Sequence, residues 1–256
     1  MADKPARLVA ESDAIVVDLK IRRFVSRGGD KLDAALERFP VTVAGRRALD
    51  AGASTGGFTD CLLVRGAASV MAVDVGYGQL HPRIRADRRV TVRERTNIRS
   101  LASDEAGERF DLIVADLSFI SLAVVVPLLV GELAAPGADL LLLVKPQFEV
   151  GHIEVSRGRG VIRRPDLRRA ALEKVASALT NAGATIMGAM ASPVLGPAGN
   201  AEYLLWAGIP AGDTAPPVVD IAAVLDAAVA ASPDAAEPPD GPDSPDARPF
   251  AGPGDR

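Results

Sequence analysis

Four ionisable residues stand where a folding chain gains no stability by placing them. Asp116 closes the apolar run Phe110-Asp-Leu-Ile-Val-Ala-Asp116, and Lys145 closes the run Leu140-Leu-Leu-Leu-Val-Lys145. Glu202 opens an apolar run after Pro197-Ala-Gly-Asn200, and Lys31 lies upstream in Ser26-Arg-Gly-Gly-Asp-Lys31. Each residue alone reads as a half-exposed ion pair; four together at the ends of strands read as a site. Lysines can take a proton from a hydroxyl or stabilise the alkoxide it becomes, and carboxylates beside them can orient both lysine and substrate.

A second cluster is the segment Asp50-Ala-Gly-Ala-Ser-Thr-Gly-Gly-Phe58, which follows one apolar run and opens another. Its pattern is not the G-x-G-x-x-G of a dinucleotide site. It also lacks the Gly-Lys-[Ser/Thr] ending of a phosphate-binding P-loop. Gly52 allows a tight turn, and Gly56 and Gly57 allow a ligand and the following helix to come close. An acid at the end of the first strand, Asp50, suits a cationic ligand better than a pyrophosphate. Asp74 ends the next strand, where a carboxylate can accept from ribose hydroxyls. S-adenosyl-L-methionine, with a sulfonium, an amino-acid end and no phosphate, meets these requirements. The expected donor site is Asp50, Gly52, Ala53, Ser54, Gly56, Gly57, Phe58, Asp74, Val75, Asn97 and Asp116. Asn97 either contacts the adenine or caps the helix that follows it.

These residues need elements to hold them. Strands are expected at Arg46–Asp50, Ser69–Asp74, Arg89–Glu94, Phe110–Asp116, Ala138–Lys145, Thr185–Ala191 and Glu202–Ala207. Helices are expected at Gly57–Arg65, Leu122–Ala134 and Asp166–Ala182. Strands alternating with helical segments predict parallel βαβ units. The fold class is therefore α/β: a doubly wound, mostly parallel, seven-stranded Rossmann-like methyltransferase sheet with helices on both faces. Residues 26–210 would form this domain, and residues 1–25 a linker or the remnant of another module. Residues 211–231 would be a helical segment, and the Pro- and Asp-rich stretch 232–256 a disordered acidic tail.

Composition narrows the chemistry. The single cysteine, Cys61, leaves no disulfide framework and no cysteine-based zinc site, and with two histidines no His-rich metal site is expected. No apolar run approaches the ~20 residues that span a bilayer, and no signal pattern opens the chain. A cytoplasmic protein with no membrane partner is expected. The net charge of −4 is unevenly spread: residues 1–202 carry 27 Lys and Arg against 24 Asp and Glu, and residues 203–256 carry two against nine. The body is mildly basic. One arginine-rich stretch runs from Arg83 to Arg99. Another, directly after the Lys145 segment, contains Arg157, Arg159, Arg163 and Arg164, the expected RNA-binding residues. Arginine grips phosphates bidentately.

Taken together, Ser26-Arg-Gly-Gly-Asp-Lys-Leu32, Leu49–Phe58, Ala72-Val-Asp-Val-Gly-Tyr-Gly-Gln-Leu80, Ala115-Asp-Leu-Ser-Phe-Ile-Ser121, Val144-Lys-Pro-Gln-Phe-Glu149 and Gly199-Asn-Ala-Glu-Tyr203 resemble the TlyA family. That family carries an FtsJ-type ribose 2′-O-methyltransferase domain and a haemolysin label. The resemblance runs from about Phe24 to Trp206. It implies a Lys–Asp–Lys–Glu tetrad of Lys31, Asp116, Lys145 and Glu202, with Lys145 as base or alkoxide stabiliser. It also implies ribosomal RNA or a ribosomal subunit as partner, with cytidine as the target. The family begins with a small RNA-binding module, of which this chain would keep at most a last strand at Ala14–Asp18. Phe24 stands where the family has Trp. Competing readings are a small-molecule methyltransferase on the same fold, a haemolysin-like pore-former and a non-catalytic RNA-binding protein. The arginine stretches, the lack of a membrane segment and the intact tetrad respectively argue against them.

Overall fold

The computed structural model describes residues 23–101, 106–212 and 219–233, without the side chains of His152, Ile153 and Arg157. The expected strand at Ala14–Asp18 and nearly all of the expected acidic tail lie outside the described residues.

Seven strands form one sheet: β1 (Arg47–Ala51), β2 (Ser69–Val73), β3 (Val90–Arg93), β4 (Phe110–Ala115), β5 (Ala134–Val144), β6 (Thr185–Ala191) and β7 (Tyr203–Gly208). Their order is β3-β2-β1-β4-β5-β7-β6. Pairings are parallel from β3 through β5, and β7 runs antiparallel to both β5 and β6. The sheet is thus seven-stranded and mostly parallel, as the alternation predicts. The strand order reverses between β1 and β4, and a crevice opens at the carboxyl ends of strands at such a point.

Alternate residues face opposite ways, and the central strands are buried on both faces. Leu112, Val114, Leu141, Leu143 and Leu204 pack toward α1 (Arg27–Arg38) and α2 (Gly57–Val64). Ile113, Leu140, Leu142, Val144 and Leu205 pack toward the other face. That face is covered by α4 (Leu122–Leu128), α7 (Pro165–Asn181) and α8 (Ile221–Ala230). Burying each Leu or Val is worth about 1.5–3 kcal/mol, so the chemistry sits on a stiff platform. The short helices α3 (Pro82–Arg85), α5 (Pro146–Glu149) and α6 (His152–Arg157) lie in the connections.

Several elements depart from expectation: β5 begins at Ala134 rather than Ala138, and the short helices α3, α5 and α6 were not expected. The helix after β4 stops at Leu128 and continues as a wider π-type turn over Leu129–Leu133, with Pro127 inside the helix. Proline has no N–H to continue the i→i−4 ladder. Helix α1 went unforeseen because Gly28 and Gly29 depress helix propensity. Packing explains Gly29: a Cβ there would run into the ring of Phe24, which is buried beneath it.

Among the described residues, no helix is long and apolar enough to cross a membrane.

Candidate active site

Topology brings the four charged residues to one edge of the sheet. Asp116 follows β4 and Lys145 follows β5. Because β7 is reversed, its beginning lies at the same edge: Val144 pairs with Tyr203, which sets Lys145 and Glu202 just beyond neighbouring strand ends. Lys31 reaches this edge from α1, one turn past its N-terminus.

The four form two pairs. Lys31 Nζ donates to Glu202 Oε2 at 2.5 Å, with only 9% and 1% of the side chains exposed. Lys145 Nζ lies 2.5 Å from Asp116 Oδ1 and donates to the Ser118 hydroxyl at 3.0 Å. The ring of Phe148 lies 6.0 Å from the same ammonium, with Phe119 tilted against it at 5.3 Å. Ser118 and Phe119 were not among the expected site residues, although both stand inside the Ala115–Ser121 motif. Phe119 is 92% exposed and has a left-handed backbone, φ +63°.

A cavity of about 630 Å³ opens at the β1/β4 switch. Gly52, Ser54, Asp74, Val75, Asn97 and Asp116 all line it. Gly52 has φ +87°, and a Cβ on it would stand 2.5 Å from the Asp116 carbonyl oxygen. The loop from β1 can therefore pass the loop from β4 only with glycine here. Asp74 accepts from the Ser54 and Gly76 amides at 2.8 and 2.7 Å, which leaves each oxygen a free lone pair for a ligand hydroxyl. Asn97 caps the following 3₁₀ turn by accepting from Arg99 N at 3.0 Å, while its residue still lines the cavity. The cap is made, and it leaves Asn97 at the cavity wall.

Asp50 does something other than line this cavity. It is fully buried beneath the loop and accepts from the Thr59 hydroxyl at 2.6 Å, and its Oδ1 has no partner. Burial pushes its carboxyl up to about 7, against the lowering effect of Thr59 and with a smaller upward push from Asp116. Gly56 turns the loop at φ +92° under Leu80 and Ile84. Cys61 is no nucleophile: burial, then the charge of Asp33, push its thiol up to about 12.

A second hollow, about 380 Å³, lies on the other side of the Gly52 loop. Its wall includes Arg27, Lys31, Ala53, Gly57, Phe58 and Asp116. Gly52, Ser54 and Asp116 border both hollows. The arrangement offers a roomy pocket with hydroxyl acceptors at its rim, joined through Asp116 to a smaller pocket beside a buried lysine. The first matches the size range of ligand sites, and its carboxylate, amide and apolar lining fit a nucleoside with no phosphate.

The arginines divide. Arg83, Arg85 and Arg89 are paired with Asp60, Glu94 and Asp87. Arg164 is paired with Asp166. Arg159 and Arg163 are exposed. Their loop is tied to the site by Asn200, which accepts from Ile162 N at 2.9 Å and donates to Gly160 O at 2.8 Å. Arg157 ends α6. Arg168 is buried on the Ile162 carbonyl at 2.9 Å and serves the fold.

Comparison with known proteins points the same way. Residues 24–209 match the FtsJ-like methyltransferase family. The 16S/23S rRNA (cytidine-2′-O)-methyltransferase TlyA of Mycobacterium tuberculosis is 55% identical over 206 residues, 80% of this chain and 76% of that one. A crystal structure from Lactococcus lactis, described as a hemolysin, aligns at 41% identity with a TM-score of 0.73, covering 79% of this chain and 97% of that chain. The N-methyltransferase NodS of Bradyrhizobium japonicum, solved with S-adenosyl-L-homocysteine, shares the fold at 19% identity and a TM-score of 0.51, over 72% of this chain and 86% of its own.

Proposed function

The chain belongs to the FtsJ-like methyltransferase family and to its TlyA branch, and on that premise we propose that it methylates the ribose 2′-oxygen of a cytidine in ribosomal RNA. The observation that carries this reading is the junction at Asp116: the larger cavity and the hollow beside Lys31 meet there, with Lys145 on the same carboxylate.

The larger cavity would hold S-adenosyl-L-methionine, with Asp74 on the ribose hydroxyls and Val75 and Asn97 along the nucleoside. When bound, it supplies an electrophilic methyl on a sulfonium. The remaining work falls to the chain. The acceptor ribose enters beside Lys31, and its 2′-hydroxyl meets the junction. Lys145, held between Asp116 and Ser118, takes the hydroxyl proton when it is the neutral amine, or stabilises the forming alkoxide when it is the ammonium. Lys31, fixed by Glu202, adds a second positive charge at a site shielded from water. In-line placement of the two reactants supplies a further part of the acceleration.

Arg27 extends the acceptor side. It is exposed on the wall of the hollow, four residues before Lys31. Side chains four apart on a helix are neighbours, about 5–6 Å between Cβ atoms. Lys31 and Arg27 thus put two cations on one wall of the acceptor hollow, where Arg27 would meet a phosphate next to the acceptor ribose. Arg159 and Arg163 would grip phosphates farther along the strand.

The test is transfer of labelled methyl from S-adenosyl-L-methionine to ribosomal subunits, wild type against Lys145→Ala. Label in the ribose of RNA, absent with the variant, supports the reading. Label that survives the substitution, or none with wild type, overturns it.

A further inference from the structure

Glu149 closes the motif that begins with Lys145, yet it touches no group assigned to the reaction above. Its side chain is 1% exposed. Oε2 accepts from the Ser121 hydroxyl at 2.5 Å and Oε1 from Leu122 N at 2.6 Å. Lys174 Nζ donates to the Glu149 carbonyl at 2.9 Å and lies 3.2 Å from Oε2.

Ser121 and Leu122 are the N-cap and first residue of α4, and Ser121 makes no capping bond of its own. The cap is supplied from another loop, by a carboxylate at the positive end of the helix. Charge-assisted bonds of this kind are the strong ones. The loop ended by this cap, residues 116–121, carries Asp116 and Ser118, both partners of Lys145. Contacts between the two loops run in one sequence: Lys145 to Asp116 and Ser118, Phe148 to Phe119, then Glu149 to Ser121 and Leu122. Lys145 and Glu149 are its two ends.

We propose that Glu149 is a positioning residue for methyl transfer, which locks the 116–121 loop to the Lys145 turn so that Asp116 and Ser118 hold the Lys145 ammonium in place. The inference rests on the ribose methylation reading. Between its ends the loop packs Leu117 and Ile120 on the core but leaves Phe119 exposed at its tip, against the ring of Phe148. Without the clamp, the Lys145 ammonium keeps its partners but loses a fixed position relative to the acceptor. Misplacement by about 1 Å can cost a hundredfold in rate.

The experiment compares Glu149→Gln, Ser121→Ala and Lys174→Ala with the wild-type chain. It measures kcat and KM on ribosomal subunits, thermal stability, and amide hydrogen exchange across residues 116–121. Ser121→Ala removes one bond of the clamp without stranding the carboxylate, so it keeps the question open should Glu149→Gln fold poorly. Lys174→Ala removes a stabilising partner of Glu149 that does not touch the loop. The expected result is a fall in kcat of about tenfold to a hundredfold for the first two, with little change in KM and faster exchange in the loop. Lys174→Ala lowers thermal stability but keeps kcat within about twofold. Unchanged kcat and exchange in Ser121→Ala, or an equal kcat loss in Lys174→Ala, would overturn the assignment. Should the wild type label no RNA, the methylation reading fails, while hydrogen exchange still decides whether Glu149 clamps the loop.

Discussion

Lys31 Nζ and Glu202 Oε2 meet at 2.5 Å although 171 positions separate them in the chain. A buried pair broken on one side strands a charge, at a cost of about 3–5 kcal/mol, whereas replacing both partners with apolar residues is often neutral. Glu202→Ala is therefore expected to lower the melting temperature by about 10 °C and to abolish methyl transfer. The double variant Lys31→Met/Glu202→Leu recovers most of the stability and none of the activity. Calorimetry beside a transfer assay checks this; a double variant that regains activity would remove the pair from the mechanism.

The proposed mechanism gives Lys145 a role in the reaction rather than in the fold. Asp116 and Ser118 are partly open to solvent, although Asp116 Oδ1 itself is buried, so truncation carries a stability cost smaller than its cost to the reaction. Lys145→Ala is expected to cut kcat by about a hundredfold or more while the affinity for S-adenosyl-L-methionine stays within a few-fold, measured by titration calorimetry. Lys145→Arg keeps the charge with a different fork geometry and should recover little.

Asp50 gives the fold a pH dependence of known sign. Its folded carboxyl titrates at about 7, raised above the ordinary value of 3.8 by burial. In that pH range the native state holds a proton that the unfolded chain releases. The contribution to stability is fully present below the unfolded value and is lost as pH rises through about 7. Asp50→Asn, neutral at every pH, should raise the melting temperature more at pH 8 than at pH 5. Equal shifts at the two values would show that Asp50 does not carry this titration.

RNA affinity should divide among the exposed arginines. Arg27→Ala, Arg159→Ala and Arg163→Ala are each expected to weaken binding across sequences and to reduce the salt slope by about one. Arg164→Ala should do less, because Asp166 already holds that guanidinium. Filter binding over a range of salt concentrations measures the slopes. A larger loss for Arg164 than for Arg163 would contradict this division.

The sheet was legible because its signals are local. β6 runs over Thr185–Ala191 as expected, and β1, β2 and β4 end within a residue of expectation. The Gly52 turn and the strand-end positions of Asp74 and Asp116 were also visible, since glycine spacing and apolar runs mark them. The partners were not. That Lys31 goes to Glu202 and Lys145 to Asp116 depends on the reversed β7 and on α1, and α1 is stabilised by Phe24 lying against Gly29, a contact no helix propensity records. Asp50 is the plainest case. Position placed it at the ligand, but its carboxylate turns down to Thr59. The role of Glu149 was equally hidden, since a buried acid capping a helix from a different loop leaves no mark in the residues of that helix.

The reversed strand also sets an order of events. β7 lies between β5 and β6, so β6 cannot join the sheet until the later strand arrives. The arrival that completes the sheet also delivers Glu202 to Lys31. Domains fold as units while they are being synthesised, so a nascent chain that has not yet released residues 203–208 from the ribosome has neither a finished sheet nor a neutralised Lys31. A product that stops before β7 therefore lacks both the strand that joins β6 to β5 and the carboxylate that meets Lys31.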